Sequence, residues 1–149
     1  MTTAQARISW IYIIAAVLAL VGLGDSIYLT IQHITGQSLR CTIISGCSEV
    51  LSSPYAQVGP VPLAAIGAAA YFTVFSLAIL AAFGYRFSIP FLKIMVGLMF
   101  LTTLWLLYLQ AFVIRHFCQY CLLSAAVTTT LTALVFLPSV LRRRAAAAS

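Results

Sequence analysis

Four long apolar runs separated by one long and two short interruptions set the plan of this chain: about Ile8 to Ile34, Val61 to Phe83, Phe91 to Ile114, and Gln119 to Leu137. Each is close to or beyond the roughly 20 residues that carry a helix across a hydrocarbon core. None shows the period-two alternation of a barrel strand, and within lipid every backbone amide needs an internal partner, so all are predicted helices. The expected fold is all-α: a polytopic membrane protein, a four-transmembrane-helix bundle with a long outer loop between the first and second helices. Residues 1–149 read as a single membrane domain.

Composition agrees with the pattern. With 63% hydrophobic and 7% charged residues, the chain has too little polar surface to clothe a soluble globule. The first run resembles a signal peptide at its start, but Ile8 to Gly24 already exceeds the usual apolar core of one, and apolar character resumes after Asp25. A first membrane helix is the better reading. The net charge of +6 matters less than where it falls. With a cytoplasmic N-terminus, that side receives Arg7, Arg86, Lys93, Arg142, Arg143 and Arg144, and only Arg40 and Arg115 lie outside. Both termini are then expected inside, with the cysteines on the outer, oxidising face. Small residues crowd the second run (Ala64, Ala65, Gly67, Ala68), which suits either close helix contact or a lipid-facing filler.

The four cysteines change the picture most. Cys41 and Cys47 sit in the outer loop with five residues between them, enough for a turn at Gly46 to let the sulfurs bond. Cys118-Gln119-Tyr120-Cys121 opens the fourth run, where unpaired backbone amides and the helix dipole favour a thiolate. Two dithiols at one membrane face suggest a relay by thiol–disulfide exchange. A static staple is the plainer alternative for the loop pair, although closing so short a loop removes little chain entropy. Zinc held by all four fits less well, because structural sites favour short spacings within both pairs. No phosphate-binding glycine loop, Ser-His-Asp arrangement or nucleic-acid signature is present. Phe112, Phe117 and Tyr120 are candidates to line an acceptor pocket, with a belt of interfacial aromatics as the blander role. Asp25, near the outer end of the first helix, is expected to face the bundle interior, either hydrogen-bonded there or handling protons.

The order of these features resembles the vitamin K epoxide reductase family in its bacterial-type form. The resemblance rests on Asp25-Ser26-Ile27-Tyr28-Leu29 ending the first helix, on Cys41-x5-Cys47 followed by Ser52-Ser53-Pro54-Tyr55, on Gly59-x-x-Pro62, and on Cys118-x-x-Cys121. It implies a membrane oxidoreductase that oxidises a thioredoxin-fold protein and passes electrons to a quinone of the ubiquinone, menaquinone or vitamin K type. A bacterial cell membrane is the implied location. By the same resemblance Cys41 exchanges with the partner, Cys47 passes electrons to Cys118, Cys121 faces the quinone, and Ser53 stands near the active site. Animal members that reduce the epoxide have a tyrosine four residues after the last cysteine, where this chain has Ala125, so the resemblance carries quinone reduction and does not extend to the epoxide. Many members carry a fused thioredoxin-like domain; none is seen here, and a separate DsbA-like partner is expected. The rival from another class is a non-catalytic four-span protein with structural disulfides. A small transporter fits least, for want of broken helices or several buried charges.

Overall fold

The computed structural model describes residues 3–37, 41–43 and 46–147, with the backbone alone at 3–8 and 141–146. Arg40 therefore lies outside the described residues, as do the side chains of Arg7, Arg142, Arg143 and Arg144, so the charge-based orientation remains an expectation.

Helix α1 (Thr3–Thr35) leads into a loop that holds a short helix α2 (Cys47–Leu51), a 3-10 turn (Pro54–Ala56) and a two-stranded ribbon, β1 (Gln57–Val58) with β2 (Val61–Pro62). Helices α3 (Leu63–Ala82), α4 (Ser88–Tyr108, continued by a π-helical turn Leu109–Ile114) and α5 (Gln119–Ala147) complete the chain. Four segments are long and apolar enough to cross a membrane: Ser9–Thr35, Leu63–Ala82, Ser88–Ile114 and Gln119–Val140. The protein is an integral membrane four-helix bundle.

The boundaries shift from the sequence reading for local reasons. The second helix starts at Leu63 and not Val61, because Val61 and Pro62 pair with Val58 and Gln57 across a turn whose Gly59 sits at φ 64°. At the other end, Gly84 at φ 93° closes the helix. Its N–H reaches the Ala81 carbonyl and that of Tyr85 reaches Leu80, so the last carbonyls are satisfied by the turn itself. Helix α4 begins at Ser88 and not Phe91, since Pro90 falls in the first turn, where its missing N–H costs no internal bond. Helix α5 runs through Pro138 and past the expected end at Leu137.

The bundle is built inside out relative to a soluble protein. Its core is small and tightly drawn: Ala15, Ala16 and Ala19 of α1 meet Val74 and Ala78 of α3, with Leu92 and Val96 of α4 and Val127, Leu131 and Val135 of α5 behind them. The large residues Trp10, Ile14, Phe72, Leu101 and Trp105 face outward, where lipid solvates them as well as a core would. The most extensive contact is between α1 and α3. Glycines set its closeness: a Cβ at Gly22 would overlap the Tyr71 ring, and one at Gly67 would stand 3.4 Å from Ser26 Oγ. Part of the small-residue run on α3 thus serves helix contact. Tyr71 in turn reaches α5, its hydroxyl 2.8 Å from Ser124 Oγ and 2.9 Å from Thr128 Oγ1.

Candidate functional site

One end of the bundle gathers the chemistry. The loop between α1 and α3 and the turn between α4 and α5 meet there, and all four cysteines belong to a single cluster. Cys47 and Cys118 are buried within it beside Leu29 and Val50, with Cys41 and Cys121 packed against them. Cys41 and Cys47 form a disulfide with Cα atoms 6.0 Å apart, while Cys118 and Cys121 are free thiols.

The outer pair is docked on the inner pair by backbone fit. Gly46 sits at φ 155°, immediately before Cys47, and a Cβ there would stand 3.0 Å from the Phe117 carbonyl oxygen and 3.2 Å from His116 Cβ. Only a glycine lets the loop lie against the stretch just before Cys118. The Ile43 N–H donates to Gln119 Oε1 at 3.1 Å, tying the segment between the two loop cysteines to the first residue of α5. Ser53 lies just beyond α2 and donates its hydroxyl to the Val50 carbonyl at 2.6 Å, closing that helix.

Cys118 precedes the first residue of α5 and so occupies its cap. The cap sulfur faces the orphan amides of the first turn. Its thiol is held down to about 7, first by the Cys121 thiol donating to it and then by the backbone N–H groups of Cys121 and Tyr120, against an opposing effect of burial. Arg115 and His116, just before it in the chain, are exposed and are not among the causes. Arg115 instead turns the chain, in the left-handed region at φ 58°.

Beside the cluster lies a cavity with about 940 Å³ of free space, its open mouth included. Asp25, Leu29 and His33 line it from one stripe of α1, at the i, i+4, i+8 spacing of a single helix face. Ser53 and Tyr55 close it from the loop, Gln110 and Ile114 from the end of the third span, and Cys121, Ser124 and Ala125 from α5. Asp25 Oδ2 is buried there with no hydrogen-bond partner among the described residues. Phe112, Phe117 and Tyr120 do not line the cavity. Phe112 continues an outward stack in which Tyr108 lies 5.9 Å from Trp105 and 5.1 Å from Phe112, and Tyr120 pairs with Tyr28 at 5.4 Å. Phe117 is 41% exposed.

Gln110 carries no signal in the sequence, where a single glutamine within an apolar run reads as an interruption. In the structure it is 3% exposed and accepts the Cys118 backbone N–H at 3.3 Å.

Residues 13–136 match the family model described as the vitamin K epoxide reductase family. The chain belongs to that family. Its members are membrane oxidoreductases that work by disulfide chemistry, and the matched residues take in all four cysteines and every cavity residue named above.

Proposed function

We propose that this chain draws two electrons from a thioredoxin-fold dithiol protein, passes them through its two cysteine pairs, and delivers them to a quinone, so that the partner leaves as a disulfide-bonded oxidant. The observation that carries this reading is the gathering of the four cysteines into one cluster with Cys121 on the wall of the adjacent cavity.

Accessibility supports the order of exchange. Cys41 is half-buried and Cys47 only 1% exposed, so an incoming thiolate reaches Cys41. Attack there releases Cys47 as a thiolate, and the partner's second thiol then displaces Cys41 and frees the partner as a disulfide. Cys47 attacks the Cys118 sulfur; the Cys47–Cys118 bond forms, the Cys118–Cys121 bond breaks, and Cys121 keeps the electron pair. Cys41 next attacks Cys47, which restores the outer disulfide and expels Cys118. A thiol held down to about 7 is a good leaving group, and that favours inward flow. An outer pair closed and an inner pair free, as found here, is the state this step leaves.

The cavity suits a quinone: it is mostly apolar, opens beside Cys121, and carries few polar groups, among them the buried Asp25 Oδ2. A bound quinone supplies a sink for two electrons and two protons. Among the described residues Asp25 Oδ2 has no hydrogen-bond partner, and it can hold a proton at the cavity wall. Ala125, small and on the same wall, leaves the space open.

Two variants test the reading. Cys121→Ser is expected to abolish quinone reduction by a reduced thioredoxin-fold donor while the bundle stays folded, since one sulfur becomes oxygen with little change in volume. Cys41→Ala removes the competing loop bond and is expected to accumulate a Cys47–Cys118 disulfide, detected by non-reducing peptide mapping. Wild-type quinone reduction by Cys121→Ser would sink the relay and leave the cysteines a structural role.

A further inference from the structure

The end of the bundle away from the cysteines holds a cation that the redox chemistry does not use. Lys93, the single lysine of the chain, sits on the second turn of α4, inside a segment apolar enough to cross the membrane. It is half-buried, and its ammonium reaches across to α5, where Nζ donates to Ser139 Oγ at 2.5 Å. The two helices are close here: one turn further along α4, a Cβ at Gly97 would stand 3.9 Å from the Phe136 ring. Lys93 therefore lies in the seam between two spans. Topology asks only for a cation near the end of a span, not for one drawn into a seam.

A charge in that position needs a counter-ion. The sequence has only two acidic side chains, Asp25 and Glu49, and both belong to the cysteine-bearing end, Asp25 on the cavity wall and Glu49 in α2. Between Lys93 and Gln110, which lines the same cavity as Asp25, the third span rises roughly 25 Å at about 1.5 Å per residue, so no carboxylate meets the ammonium. Ser139 is neutral and accepts one N–H, whereas an ammonium carries three donors. The others are left for a ligand from outside the chain. Exposed apolar side chains flank the seam on both helices, Phe91 and Ile94 beside Lys93 and Leu137 and Val140 beside Ser139, so a ligand that brings hydrocarbon with its negative charge fits best. Helix α5 continues past Ser139, and its register puts positions 142 and 143 on the same face as Ser139, where the sequence has arginines.

We propose that the α4–α5 seam at Lys93 and Ser139 binds the headgroup of an anionic phospholipid, whose phosphate accepts from the Lys93 ammonium while its acyl chains lie along the exposed apolar faces. A lipid phosphate is already held at the depth to which a lysine inside the end of a span extends its charge, and basic seams between spans are where anionic headgroups settle. A free phosphate ion would have to leave water to reach the same cation. The site is separate from the relay and does not depend on it.

Because the chain has one lysine, its side chain can be followed by itself. The purified full chain, isotopically labelled at lysine Cε and Nζ, is placed in nanodiscs of phosphatidylcholine and then in nanodiscs with a rising share of phosphatidylglycerol. The Lys93 resonance is expected to move with phosphatidylglycerol and to saturate; a resonance that stays in place overturns the proposal. Inorganic phosphate added to the phosphatidylcholine nanodiscs is expected to leave it unmoved, and a matching shift would overturn a lipid as the ligand. Salt separates a seated headgroup from diffuse attraction: at 1 M sodium chloride the screening length falls to about 3 Å, so a shift that vanishes there counts against the site and one that persists supports it. Lys93→Met keeps the reach of the side chain and removes its charge. Phosphatidylglycerol retained through purification, counted by mass spectrometry against phosphatidylcholine, is expected to fall about fivefold in that variant. Equal retention overturns the seam as the site and assigns the lipid to the arginines of the same end.

Discussion

Cys118 joins local geometry to reactivity. Its depressed thiol follows first from the Cys121 thiol and then from two backbone amides, so the thiolate is the minor form below pH 7 and the major form above it. With the outer pair closed, the ultraviolet thiolate absorbance of the protein is expected to rise with a midpoint near 7; a first rise only near the ordinary thiol value of about 8.5 would refute the assignment. Cys121→Ala removes the leading cause and is expected to move the midpoint upward, though the Tyr120 and Cys121 amides still oppose a full return. Gly46 acts on the same chemistry through shape. In Gly46→Ala the new methyl meets the Phe117 carbonyl, which cannot yield as a side chain would, and the φ of 155° is strained for any residue with a Cβ. The loop must lift from the inner pair. In a Cys41→Ala background the Cys47–Cys118 disulfide should then form more slowly than with Gly46 in place, and an equal rate would mean the contact is incidental to exchange.

Between elements, the seam of α1 and α3 holds the cavity wall in place. Gly22 admits the Tyr71 ring, and Tyr71 cannot retreat, because it is 2% exposed and its hydroxyl is tied to Ser124 and Thr128 on α5. Gly22→Ala therefore overfills the seam and is expected to cost about 1–3 kcal/mol, read as a lowered thermal midpoint in detergent. Tyr71→Phe keeps the ring and loses only the cross-helix hydrogen bonds, worth about 0.6 kcal/mol each in membrane proteins. The first variant should thus be the less stable of the two, and the reverse order would show that the hydroxyl network, not the close approach, holds α3 to its neighbours. Ser124 also lines the cavity, so Tyr71→Phe loosens a wall residue that Gly22→Ala does not touch directly.

For the molecule as a whole, four crossings bring both cysteine-bearing connections to one end, and the cluster joins them there. Which side of the membrane that end faces rests on the distribution of Lys and Arg. In sealed, right-side-out vesicles treated with a reductant, a membrane-impermeant maleimide is expected to label Cys41 before detergent is added. Labelling only after the membrane is opened would reverse the orientation and put the exchange loop on the reducing side.

The four helices, the membrane setting, the loop disulfide and the family were all legible from the order of residues, because each depends on local quantities. A run of apolar residues must become a helix in lipid, and cysteines with five residues between them across a glycine turn can bond without distant help. What stayed hidden depends on residues far apart in the chain. The π-helical turn that brings Gln110 onto the CxxC segment has no apolar signature of its own. The cavity is assembled from α1, the loop and three more helical segments. The aromatics at 112, 117 and 120 could be assigned to that cavity only by proximity in sequence, yet helix rotation turns Phe112 and Tyr120 toward other partners. Patterning states which faces are apolar; in a membrane both the lipid face and the helix seam are apolar, so only the packing of one helix on another distinguishes them.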